Sequence, residues 1–76
     1  MDKQPERNIL RSLRMQMGWN QSEAARHIGV DRTALYMWET NQRMPSLTTA
    51  ARVAKLYGTT LDEIWEHFEK QLKEEE

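Results

Sequence analysis

The three glycines of this chain, at positions 18, 29 and 58, each close a stretch in which apolar residues recur every three or four positions. Glycine after such a run is a helix stop, because it takes the left-handed backbone that ends a helix at little cost. The stretch before Gly18 sets Ile9, Leu10, Leu13 and Met17 on one face and Arg7, Arg11 and Arg14 on another, predicting a first helix over roughly residues 6–17. Asn20 followed by Glu23 has the form of a capping box and opens a second helix that runs to about Ile28. Asp31 is placed to cap a third helix from about Arg32 to Thr40, which leaves a link of about three residues between helices two and three. Asn41 serves as the left-handed stop of helix three, and Met44-Pro45 leads to Ser46 as the cap of helix four. Leu47, Ala50, Ala51, Ala54 and Tyr57 give the expected buried face of helix four. Thr60 with Glu63 forms a second capping box, for a fifth helix whose Leu61, Ile64, Trp65, Phe68 and Leu72 fall on one stripe. Sustained apolar–polar alternation and β-branched runs are absent from the sequence, so the chain reads as all-α, with five short helices in one compact domain.

Seventy-six residues hold a single core. The lack of cysteine excludes a disulfide framework, a thiolate metal site and a cysteine nucleophile, so stability comes from packing, helix caps or a partner subunit. It also suits a reducing cytoplasm, the expected location. A hydrophobic content of 38% supports a compact core but not a membrane span. The opening Met1-Asp2-Lys3-Gln4-Pro5-Glu6-Arg7 has no apolar run after its charges, so neither a signal peptide nor a transit peptide is expected. The net charge of −1 conceals an asymmetry: residues 1–60 carry nine cationic against five acidic side chains, a balance of +4, while residues 61–76 carry two against seven, a balance of −5. A basic body suggests an anionic partner, and nucleic acid is the commonest large anion of a cytoplasm. Charge alone fits a merely well-solvated acidic tail equally well. The division expected is a domain over residues 1–68 and an acidic C-terminal extension over 69–76.

Two helices joined by about three residues with a glycine in the turn outline a helix-turn-helix, whose second helix lies in the DNA major groove. Several side chains fit that outline. Ala25, four residues after Gln21, is small enough to let helix three approach helix two, and Gly29 follows four later. Leu35 and Trp38 point back into the core, leaving Arg32, Thr33, Tyr36, Met37 and Thr40 outward. The run Gln21-Ser22-Glu23-Ala24-Ala25-Arg26-His27-Ile28-Gly29-Val30-Asp31-Arg32-Thr33-Ala34-Leu35-Tyr36-Met37-Trp38-Glu39 resembles the helix-turn-helix of the lambdoid phage repressors, Cro and the bacterial XRE-type regulators. The resemblance begins at Arg14-Met15-Gln16-Met17-Gly18-Trp19-Asn20, continues through Arg43-Met44-Pro45-Ser46-Leu47 and Leu56-Tyr57-Gly58-Thr59-Thr60-Leu61-Asp62-Glu63-Ile64, and covers about residues 8–65.

The resemblance implies a lambda-repressor-like fold and double-stranded DNA as partner. Gln21 looks like the family's glutamine that spans the backbone phosphate and the recognition helix. Arg32, Thr33 and Met37 match the positions that meet base edges, with Tyr36 beside them, and a guanidinium at Arg32 suits a two-bond contact to guanine. Arg43 and the start of helix four at Ser46-Leu47 resemble the family's phosphate clamp. Apart from the resemblance, Thr40 on the outward face of helix three and Arg11 on helix one are further candidates for backbone contact, though Arg11 fits a merely solvated helix face as well. Arg14 and Glu39 match an ion pair tying helix one to helix three. Asn41 stands where glycine is usual, Trp19 and Trp38 where aliphatic residues are usual, and Met37 where many relatives carry a polar residue.

No catalytic constellation is legible: there is no Ser-His-Asp pattern, paired catalytic carboxylates or Gly-rich phosphate loop. Glu63 and His67 stand four apart on helix five, but two ligands make no closed metal site. Neither an enzyme, a cofactor, a metal nor a small-molecule ligand is expected. The stripe of helix five runs past the usual end of the family domain, and Trp65, Phe68 and Leu72 are expected to join a two-fold interface, because reading two half-sites calls for matching symmetry; the alternative is that Phe68 packs on helix one and Leu72 is idle. The reading is thus a homodimeric, sequence-specific transcriptional regulator, a repressor first, binding a short palindromic operator. Its rival is an antitoxin or anti-regulator of the same fold that occupies a protein partner through the acidic helix five.

Overall fold

The computed structural model describes the backbone of residues 8–74 and the side chains of residues 8–70. Five helices follow in order: α1 Ile9–Gln16, α2 Gln21–Ile28, α3 Arg32–Glu39, α4 Leu47–Tyr57 and α5 Leu61–Glu74. The described residues contain no strand. Arg7 lies outside them.

Local chemistry sets the helix ends. α1 begins at Ile9, later than the sequence suggests, because the Asn8 side chain accepts from the backbone N–H of Leu10 at 2.8 Å and of Arg11 at 3.2 Å. The capping box of α2 is complete: Glu23 N–H donates to Asn20 Oδ1 and Asn20 N–H to Glu23 Oε1, both at 2.8 Å. Asp31 has the extended backbone of an N-cap but its side chain makes no capping bond, contrary to expectation. Ser46 caps α4, accepting from Thr49 N–H at 3.2 Å. At α5, Thr60 Oγ1 accepts from Glu63 N–H at 3.1 Å, while the Glu63 carboxylate accepts from the Thr59 hydroxyl. α5 runs as one helix across residue 68 to Glu74.

The core gathers Leu10, Ala25, Leu35, Val53, Ile64 and Phe68 with their neighbours from all five helices. α3 packs on α2 and α1, while α5 packs on α4 and α1. Ala24 and Ala25 are both buried where α2 meets this core, and their small side chains allow close helix approach. The buried face of α4 is Ala50, Val53, Ala54 and Tyr57. Leu47 and Ala51 do not belong to it: Leu47, at the first position of α4, is 58% exposed, and Ala51 is exposed. The observed set keeps the i, i+3, i+4, i+7 spacing of one helix face, from which Ala51 is rotated by about 100°. On α5 the core takes Ile64 and Phe68, with Leu61 and Trp65 packed at its edge.

Candidate nucleic-acid interface

The turn between α2 and α3 consists of Gly29, Val30 and Asp31. Gly29 has φ 89° and ψ 35°, and both its N–H and that of Val30 donate to Ala25 O, at 2.7 and 3.0 Å. A residue with a Cβ is strained at this φ, so glycine here sets the angle at which α3 leaves α2. α3 then buries Leu35, Trp38 and Glu39 and exposes Arg32, Thr33 and Tyr36, the last to 47%. Met37 and Thr40 are half-buried beside them. The Thr40 hydroxyl donates back to Tyr36 O at 2.9 Å and accepts from Gln42 Nε2 at 2.8 Å. Asn41 takes φ 63° and ends the helix, as the sequence suggests.

A charged cluster fixes the inner face of α3. Arg14 forks onto Glu39, with Nε–Oε2 at 2.8 Å and Nη2–Oε1 at 3.0 Å, and its Nη1 donates to Trp19 O at 2.9 Å. Glu39 is 1% exposed. Such a buried fork holds only while both partners remain, since removing one strands a charge in a low-dielectric interior. Gln21, the first residue of α2, adds Nε2–Oε1 to Glu39 at 3.1 Å, and its own Oε1 accepts from Arg32 Nη1 at a long 3.5 Å.

Beyond α3, Arg43 and Ser46 line an open recess of about 280 Å³ with Ala34, Trp38, Met44, Pro45 and Thr49. This brings the loop cation and the start of α4 beside Ala34 and Trp38 of α3. The first amides of a helix lack intrahelical acceptors and favour an anion. Arg11 lies half-buried on α1, and its side chain makes no bond among the described residues.

The helix-turn-helix family model matches residues 10–64, most of the chain. This chain belongs to the helix-turn-helix family. It is also 32% identical over 65 residues to the cryptic phage CTXphi transcriptional repressor RstR of Vibrio cholerae. That match covers 86% of this chain but 59% of the relative, so the chain spans under two thirds of the protein it resembles. No solved structure matches significantly.

The member described here carries features that sequence reasoning passed over. Asn8, fully buried, donates through Nδ2 to Trp38 O and to Asn41 Oδ1, both at 2.8 Å, and Asn41 Oδ1 also meets His67 Nε2 at 3.1 Å. The start of α1, the end of α3 and the middle of α5 are thereby tied together. The available signal was an asparagine directly ahead of an apolar periodic run. Trp19 and His27 stack with centroids 4.2 Å apart and planes 9° apart. The Tyr57 hydroxyl is buried without a partner among the described residues, and burial, reinforced by the Glu39 carboxylate, pushes its pKa up to about 12. Burial and nearby Lys70 hold the His67 imidazole below its ordinary range.

Phe68 calls for a correction. At 3% exposed it is a core side chain of the single chain, and it cannot serve a two-fold interface without leaving that core. Trp65 is half-buried at the edge of the core, while the side chain of Leu72 lies outside the described residues. No helix among the described residues is long and apolar enough to cross a membrane.

Proposed function

We propose that this chain is a cytoplasmic, sequence-specific transcriptional repressor that binds double-stranded DNA as a homodimer with α3 in the major groove. The observation that carries the reading is the two-sidedness of α3: Leu35, Trp38 and Glu39 are locked inward while Arg32, Thr33 and Tyr36 stand in solvent. A guanidinium flanked by a hydroxyl, an aromatic ring and a thioether offers base edges both hydrogen bonds and apolar contact. In this reading Arg32, Thr33, Tyr36 and Met37 read bases. Gln21, Thr40, Arg43, Ser46 and Leu47 hold the phosphates, with Arg11 a further cation toward the backbone. The repressing role follows the similarity to the phage repressor. Trp65, with Leu72 by its place in the sequence, remains the proposed dimer contact.

Selection of sites from a random duplex library at about 150 mM salt tests this directly. The expected product is a palindrome whose half-sites lie about one helical turn apart. Binding without a motif that disappears as salt rises would refute base reading and move the function to a protein partner on the exposed acidic side of α5. Sedimentation of a strict monomer, both free and on DNA, would remove the dimer.

A further inference from the structure

An ion pair between α1 and α3 would need only Arg14 and Glu39, yet Glu39 Oε1 is shared. It accepts from Arg14 Nη2 at 3.0 Å and from Gln21 Nε2 at 3.1 Å. For Gln21 the consequence is directional. An amide has one donating and one accepting end, and an ionised carboxylate only accepts, so Glu39 draws the nitrogen inward and leaves Oε1 facing α3. That oxygen meets Arg32 Nη1. A reversed amide would set oxygen against oxygen at Glu39 and N–H against N–H at Arg32, and would satisfy neither contact.

We propose that Glu39 is a positioning residue for base readout. Its carboxylate fixes the orientation of the Gln21 amide, and the amide oxygen holds the Arg32 guanidinium in the pose that enters the groove. Arginine has many rotamers to lose on binding, and holding it beforehand lowers that ordering cost. The inference rests on Arg32 as a base contact and adds that a buried carboxylate, which touches no DNA, sets the preference at one base pair.

The test measures affinity for the selected operator and for its single-base-pair variants. It compares the wild-type chain with Arg32→Ala, Gln21→Met, Glu39→Gln and the double variant Arg14→Met/Glu39→Leu, and records thermal melts alongside. Gln21→Met keeps side-chain length and leaves the ion pair intact. The double variant removes the shared oxygen while replacing a buried pair by apolar groups, a change folds commonly tolerate, so it decides the matter if Glu39→Gln fails to fold. The expected result is a loss of about tenfold in discrimination at the base pair that Arg32→Ala identifies, in Gln21→Met and in whichever Glu39 variants fold, with discrimination elsewhere retained. Full discrimination at that base pair in Gln21→Met or in the folded double variant overturns the proposal while Arg32 stands as a reader. Loss spread evenly over all positions in step with the melting temperature also overturns it, because that is what a purely structural ion pair gives. If Arg32→Ala changes no base preference, the base-reading assignment itself fails.

Discussion

Helices α3 and α5 turn one face each into the same core and opposite chemistry outward. α3 exposes Arg32, Thr33 and Tyr36, whereas α5 exposes Asp62, Glu66 and Glu69. Their inner faces differ as much. α3 is held by Leu35 and Trp38 and also by directional bonds, from Glu39 to Arg14 and Gln21 and from Trp38 O to Asn8. α5 is held chiefly by Ile64 and Phe68, with His67 meeting Asn41 at its edge. Apolar burial is non-directional, so it fixes where a helix lies more firmly than how it is rotated. In the proposed reading α3 offers side chains to base edges, a task that needs side chains held to about 0.5 Å, and its buried polar bonds would supply that constraint.

Four substitutions sharpen this contrast, from the largest expected effect downward. Glu39→Ala strands the Arg14 guanidinium in the interior and is expected to cost about 3–5 kcal/mol in urea unfolding; a loss under about 1 kcal/mol would mean the pair is not buried in solution. Phe68→Ala should cost about 3 kcal/mol or more, as the loss of a core ring does. A small effect there would return Phe68 to the surface and reopen its role in an interface. Asn8→Ala removes a cap and two further bonds, with an expected loss of about 1–2 kcal/mol. Amide exchange should then quicken at the start of α1 and around Asn41, and unchanged exchange at Asn41 would contradict the tie between them. His67 gives the smallest effect. Its folded pKa lies below the ordinary 6.5 of the unfolded chain, so its contribution is fully present above about pH 6.5 and is lost as pH falls through the lowered folded value. His67→Gln should flatten the acid-side decline in stability measured by denaturation at several pH values; an unchanged decline would place the cause elsewhere.

Much of this architecture is written locally. Asn20 with Glu23, Ser46, Gly29 and Asn41 each act within one turn of chain, so the helix ends they set can be read from neighbouring letters. The outward set of α3 follows from helical periodicity around Leu35 and Trp38. What escapes the sequence depends on distance in space. Gln21 and Glu39 are 18 residues apart and Asn8 and Asn41 are 33 apart, and only the packing of whole helices brings these side chains within bonding range. The same reason accounts for Phe68. Its place on the α5 stripe is periodic, but whether that part of the stripe meets α1 and α4 or a second copy depends on how far the core extends. Leu47 shows the converse, an apolar residue in phase with the buried face of α4 yet beyond the end of the core.

The central claim is that base reading resides in α3 and phosphate holding in the loop and helix start beside it. Comparing Arg32→Ala with Arg43→Ala on the selected operator, its single-base-pair variants and random DNA, across a salt series, tests that division most directly. Arg32→Ala is expected to cost about 1–3 kcal/mol on the operator and to relax one base position with the salt slope nearly unchanged. Arg43→Ala is expected to weaken all sequences alike and to lower the slope by about one. Uniform weakening by both substitutions, with every base preference intact, would contradict the account.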